Sequence, residues 1–117
     1  MSISNRKVVI VGAGHVGSHV GYALISQSLA DEIVYIDSDH AKAVAQALDL
    51  TDATNYLPVR TKVIAGDYSD AKDAQIMIIS AGPLPTGNQT RMDTLGQTIA
   101  ILKDVTKSIK ESGFDGI

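Results

Sequence analysis

The sequence predicts an α/β domain built on a doubly wound parallel sheet. Three observations point there: short apolar runs that hardly alternate, amphipathic helical segments between them, and a glycine-rich turn where the first run ends. Strands buried on both faces read as continuous apolar stretches, and parallel neighbours need helical crossovers.

The elements follow in order. Lys7 to Val11, Ile33 to Ile36 and Ile76 to Ile79 are nearly unbroken apolar runs, and Thr61 to Ala65 is shorter and more polar. Val16, Val20, Ala23 and Leu24 recur at helical spacing in the first connection. In the second, Asp39 is placed to cap a helix whose Ala41, Val44, Ala45 and Leu48 share a face. That helix should end around Ala53 to Tyr56, ahead of Pro58. Asp67 to Ala74 is a short connector. A last helix carries Leu95, Ile99, Leu102, Val105 and Ile109 on one stripe, and Gly113 provides its stop. Right-handed crossovers then give the first half of a doubly wound sheet, with strands ordered 3-2-1 and the fourth beside the first. A fifth strand is expected at Asp115-Gly116-Ile117, so the chain reads as one domain, residues 1–117, stopping short of a continuation.

Bulk properties narrow the function. A chain of 117 residues with 44% hydrophobic and 20% charged residues is long enough for one core. The net charge of −3, with scattered basic residues, argues against nucleic acid and against a membrane-surface patch. No cysteine means no disulfide, thiolate metal site or cysteine nucleophile, and no metal site is expected. The apolar stretch after Arg6-Lys7 is too short for a signal-peptide core or a membrane span, so the cytoplasm is the expected location.

The turn itself carries chemistry. Gly12, Gly14 and Gly17 form G-x-G-x-x-G between a strand and a helix, and Asp37 closes the second strand 20 residues later. In that context the pattern is the Rossmann-type dinucleotide fingerprint. Gly12 permits the sharp turn, Gly14 lets a diphosphate approach the backbone, and Gly17 lets the helix pack close to the sheet. Free amides around His15 and Val16 would face the anion at the positive end of the helix dipole. The His15 side chain is either a phosphate contact or a solvated turn residue. Asp37 would accept the adenosine ribose hydroxyls and repel a 2′-phosphate. No Arg or Lys occurs between it and Lys42, which favours NAD over NADP. No Gly-Lys-Ser/Thr follows the glycines, which excludes a P-loop.

After the fourth strand, Ser80 to Arg91 leaves the carboxyl edge of the sheet, where open α/β folds bind ligands. Glycines at positions 82 and 87, two stiffening prolines and Arg91 before the next helix suit a lid. A plain surface connection is the alternative.

On the run Val9 to Gly17, Tyr35-Ile36-Asp37, Ala47-Leu48-Asp49-Leu50, Ser80-Ala81-Gly82 and Thr90-Arg91-Met92-Asp93, the chain resembles the L-lactate/malate dehydrogenase superfamily over its amino-terminal, NAD-binding part. Glu111 to Gly116 is most similar to bacterial L-2-hydroxyisocaproate and L-lactate dehydrogenases. The resemblance implies that Gly12, Gly14, His15, Val16 and Gly17 bind the pyrophosphate of NAD, that Asp37 binds the ribose, and that Ala81 and Gly82 line the cleft. It implies that Arg91 polarises the substrate carbonyl, a role suited to a planar, permanently charged fork. The substrate-selecting lid position falls on Pro85, where malate enzymes carry Arg and lactate enzymes Gln. An apolar Pro85 beside Leu84 leaves nothing to pair a second carboxylate, which points to lactate or a larger apolar 2-hydroxy acid. Thr98 stands where the family often has Asn. The catalytic His, the Asp that orients it and the carboxylate-binding Arg belong to the later half of the family sequence, so these 117 residues alone should not turn over substrate. Family members form dimers or tetramers, often through the helix here holding Ala41 to Asp52. A non-catalytic NAD-sensing domain is the competing reading, and Arg91 speaks against it, since a sensor needs no arginine at the nicotinamide end.

Overall fold

The computed structural model describes residues 5–117. Strand β1 (Lys7–Val11) leads into helix α1 (His15–Ser26), strand β2 (Glu32–Ile36), helix α2 (His40–Thr54) and strand β3 (Lys62–Ala65). A 3₁₀ turn (Tyr68–Ala71), strand β4 (Ile76–Ile79) and helix α3 (Leu95–Ser112) complete the chain. All pairings are parallel, in the order β3-β2-β1-β4, as the crossover rules require. Val9 sits opposite Val34 on one side and Met77 on the other. Strand β3 starts one residue later than its apolar run suggests. Thr61 is buried, but its hydroxyl donates to the Ala30 carbonyl at 2.7 Å instead of joining the ladder.

The pleat of β1 splits the core in two. Val8 and Ile10 join Ile33, Tyr35 and Val63 beneath α1 and α2. Val9 and Val11 join Val34 and Ile36 beneath the 3₁₀ turn and α3. Each such side chain contributes about 1.5–3 kcal/mol when fully buried.

The helices meet the sheet through faces that only partly match those expected: Val20 and Leu24 of α1 do pack against the core. On α1 the buried positions are Gly17, Gly21 and Ile25, while Val16 is 63% exposed. On α2 they are Ala43, Ala47 and Leu50, whereas Val44 and Leu48 face outward. Close approach explains both. A side chain at Gly21 would collide with the Tyr35 hydroxyl, which is buried and donates to the Gly17 carbonyl at 2.8 Å. No side chain fits at that point of closest approach, and Ile25 and Leu50 fill the core on either side of it. On α3 only Val105 is fully buried, and Leu95, Ile99 and Leu102 remain partly exposed. The helix does stop at Gly113, which adopts φ 79°.

Beside β4 the backbone of Ile117 makes two ladder-type bonds, donating to the Gln75 carbonyl at 3.0 Å and accepting from the Met77 amide at 2.8 Å. This parallel pattern begins where a fifth strand was expected. Among the described residues, no helix is long and apolar enough to cross a membrane, and no cluster of potential metal ligands occurs.

Candidate functional site

At the carboxyl end of β1 the chain turns through Gly12, whose φ of 104° suits glycine. Its amide donates to the Ile36 carbonyl at 2.8 Å, and a Cβ there would lie 2.9 Å from the backbone of Ser80 and Ala81. Gly17 is confined too, because a side chain would strike the Gly12 carbonyl and approach the Ser80 hydroxyl to 3.0 Å. Its closeness is therefore to the turn and the end of β4, and Gly21 is the glycine that brings α1 onto the sheet. Gly14 differs from both. Its backbone is ordinarily extended, and a Cβ there would meet nothing within 4 Å. Among the described residues, no contact requires that residue to be glycine.

Gly14 borders a cavity of about 510 Å³, shared with Gly12, Asp37, Ala81 and Gly82. The first helical hydrogen bond of α1 runs from the Ser18 amide to the Gly14 carbonyl at 2.9 Å. The amides of His15, Val16 and Gly17 therefore have no partner inside the helix, the arrangement that favours an anion. Asp37 lines the same cavity. Its carboxylate accepts the Ala13 amide at 2.8 Å and the Asp39 amide at 2.9 Å. A carboxylate offers about four acceptor positions, so two remain for hydroxyl groups. An open glycine wall, free amides and a half-satisfied carboxylate fit a dinucleotide with an unphosphorylated ribose.

A second cavity, of about 470 Å³, lies on the other side of Ser80 to Pro83 and shares that segment with the first. Val16, Ile79, Leu84, Leu95 and Thr98 line it together with Arg91. Arg91 rises from a turn in which the Asp93 carboxylate accepts the Thr90 amide at 2.6 Å and the buried Thr94 donates to the Arg91 carbonyl at 3.0 Å. The Thr98 hydroxyl is occupied within its own helix, donating to the Thr94 carbonyl at 3.0 Å.

The structure thus brings Gly12, Gly14, Asp37, Ala81 and Gly82 to one cavity and Val16, Ala81, Gly82 and Arg91 to the next. His15 is exposed and Pro85 half-buried, and neither lines either of these two cavities. Sequence reasoning missed Tyr68, from the 3₁₀ turn, and Ile101, Asp104 and Ser108, which line the first cavity from α3. The 3-and-4 spacing of the α3 residues was legible, but the larger residues of the neighbouring stripe masked it. Burial lifts the Tyr68 phenol above its ordinary value and keeps it a neutral donor.

A doubly wound parallel sheet with a glycine-walled cleft at its carboxyl edge is the architecture of a dinucleotide-binding domain. A family model described as lactate/malate dehydrogenase, NAD binding domain, matches residues 6–117. The chain belongs to that family, and its cofactor is NAD. It is 45% identical over its whole length to L-lactate dehydrogenase 3 of Bacillus cereus and 39% identical to L-lactate dehydrogenase 2 of Enterococcus faecalis. It spans about 37% of the length of these curated relatives. A ligand-bound minor L-lactate dehydrogenase from Enterococcus mundtii superposes with a TM-score of 0.92 at 40% identity, covering 98% of this chain and 37% of that one. The lactate dehydrogenase of Cryptosporidium parvum, solved with lactic acid and nicotinamide adenine dinucleotide, gives 0.86 at 28% identity, with coverages of 95% and 35%.

Proposed function

We propose that this chain is the cofactor-binding domain, residues 1–117, of an NAD-dependent dehydrogenase acting on L-2-hydroxy acids. One observation carries the reading: Ser80 to Pro83 walls both the dinucleotide cleft and the cavity that holds Arg91. An arginine one loop-width from a dinucleotide is suited to catalysis rather than to sensing.

Gly12, Gly14 and Gly17 shape the turn, and the amides from His15 to Gly17 take the diphosphate. Asp37 takes the ribose hydroxyls, and Ala81 and Gly82 form the shared wall. When bound, NAD supplies hydride exchange with the C2 carbon of the acid. Arg91 orients the 2-oxo acid and stabilises negative charge growing on its carbonyl oxygen, an effect enhanced where water is excluded. Apolar Val16, Ile79, Leu84 and Leu95 surround Arg91, and Pro85 offers no partner for a second carboxylate. This favours pyruvate or a larger apolar 2-oxo acid over oxaloacetate.

The outward face of α2, with Ala41, Val44, Ala45 and Leu48, suits pairing of two copies, and the assembled enzyme is proposed as a cytoplasmic dimer or tetramer. The residues that move the alcohol proton and anchor the substrate carboxylate are not assigned within these 117 positions.

The test is a substrate panel on the protein of the whole reading frame with NADH. Reduction of 2-oxoisocaproate or pyruvate in preference to oxaloacetate supports the reading, and the reverse preference rejects the apolar assignment. Arg91→Gln should lower kcat by about 10²–10³ with NADH affinity retained. NADH binding without turnover of any 2-oxo acid would favour the sensor. The 117-residue chain alone should bind NADH and show no steady-state turnover.

A further inference from the structure

The first cavity extends past the residues that take the diphosphate and the ribose. Ile101, Asp104, Val105 and Ser108 enter it from α3 at positions i, i+3, i+4 and i+7, which is one face of a helix. Ile36 and Tyr68 border the same space. Its apolar members belong to one core cluster, in which Ile36 and Val105 are buried and against which Ile101 and Tyr68 pack. An apolar surface with a polar edge is thus left for the part of the coenzyme that neither the glycine turn nor Asp37 takes, its adenine. Thr98, Thr106 and Ser112 of α3 return their hydroxyls to carbonyls three or four residues back. Among the described residues, Asp104 and Ser108 make no such bond. Nor does Asp104 form an ion pair, those being confined to Arg6–Asp31 and Lys7–Asp73, although Lys42 borders the same cavity.

We infer that Asp104 reads the purine of the coenzyme, accepting a hydrogen bond from its exocyclic 6-amino group and so favouring adenine over a 6-oxo purine. The inference rests on the NAD reading above and adds a specificity determinant at the end of the coenzyme remote from the hydride. An ionised carboxylate only accepts, which matches an amino group. Hypoxanthine carries a carbonyl oxygen at that position, and two acceptors facing each other repel. A hydroxyl both donates and accepts, so Ser108 serves either base and sets affinity without choosing between them.

The experiment titrates NADH and deamino-NADH, its hypoxanthine counterpart, into the protein of the whole reading frame, through the fluorescence of the reduced nicotinamide that both carry. Wild type should bind NADH about tenfold more tightly, the low end for a hydrogen bond to a charged group, because Asp104 is exposed to water. Asp104→Ala should bring the two affinities within about twofold of each other. Asp104→Asn, whose amide can turn an N–H toward the carbonyl oxygen, should narrow the ratio as well and keeps the test open should the alanine variant fail to fold. Ser108→Ala should weaken both coenzymes and leave their ratio within about twofold of wild type. Equal affinities in wild type overturn the inference, as does a ratio that Asp104→Ala leaves unchanged. So does an Asp104→Ala protein that loses affinity chiefly for deamino-NADH, since the carboxylate would then be serving the N1–H of the 6-oxo base. Wild type that binds NADH without preference of base refutes this inference alone, whereas wild type that binds no NADH refutes the cofactor reading itself.

Discussion

Replacing Gly14 by alanine separates a glycine kept for the ligand from glycines kept for the fold. A Cβ at Gly14 meets nothing within 4 Å, and φ −81° with ψ −164° is comfortable for alanine. Two small effects on stability oppose each other. Restricting the unfolded chain stabilises by about 0.4–1 kcal/mol, while alanine is a poorer helix N-cap than glycine. The net change in Tm should stay within about 4 °C. Binding should behave differently, since the added methyl points into the space assigned to the diphosphate. Displacing the anion from even one amide contact costs about 1.5–3 kcal/mol, so Kd for NADH should rise about tenfold to a hundredfold. Gly17→Ala is the contrasting case. Its methyl would strike the Gly12 carbonyl, and α1 could accept it only by moving off the turn, at about 1–3 kcal/mol. Melting followed by circular dichroism and NADH titration by fluorescence report the two quantities separately. A Gly14→Ala protein that binds NADH within about twofold of wild type would show that the diphosphate does not lie against this turn.

Three further outcomes follow from the geometry. Tyr35→Phe deletes the buried hydrogen bond to Gly17 and should cost about 1 kcal/mol in chemical denaturation. Burial holds the Tyr35 phenol well above its ordinary value near 10, so wild type should lose stability as pH rises past that value. The Phe variant should lack that alkaline slope. Side-chain and backbone hydrogen bonds from Arg6 hold the Asp31 carboxyl down to about 2, against an ordinary 3.8. Its stabilising contribution is complete above the ordinary value and lost as pH falls toward 2, and Arg6→Ala, which removes the guanidinium but keeps the backbone amide bond, should raise the Asp31 NMR titration part of the way toward the ordinary value. Wild-type Asp31 titrating near 3.8 would contradict the assignment. Lys7 is 6% exposed and donates to the exposed Asp73 at 2.7 Å. Asp73→Ala, which leaves that ammonium without a partner, should destabilise by about 1 kcal/mol, discounted for the water that reaches Asp73. Lys7→Met should be neutral or stabilising, and the opposite ranking would count against a costly buried charge.

The sheet was legible because β1, β2 and β4 are apolar on both faces, and no helix–strand ambiguity survives the turns between them. Asp37 was legible because its distance from the glycines is set by one crossover. The helix faces were legible only in part. Apolar size is a poor guide where helix and sheet approach closely, so Ala43 and Ala47 turn inward while Leu48, the larger residue, stands in solvent. Nor was the second bond of Asp37 readable, since the contact with the Ala13 amide depends on how far the turn after β1 leans toward β2. The Arg91 neighbourhood was legible only as a loop. Its apolar walls come from α1, β4 and α3, three elements whose meeting point no local pattern encodes.

Why the two cavities share a wall follows from the strand order. After β1 the chain crosses over to β2 and then β3 on one side, and it returns past β1 to place β4 on the other. The turns leaving β1 and β4 therefore start side by side and diverge, which opens a crevice at the carboxyl edge. The Ser80 amide bonds to the Val11 carbonyl at 2.8 Å, and the backbone at Ser80 and Ala81 presses on Gly12. That contact makes the glycine at position 12 obligatory, and it places Gly82 in the same cavity as Gly12 and Gly14, with Arg91 in the adjoining one. A bulkier residue at position 12 would thus act on both cavities at once, by pushing apart the two strand ends that they have in common.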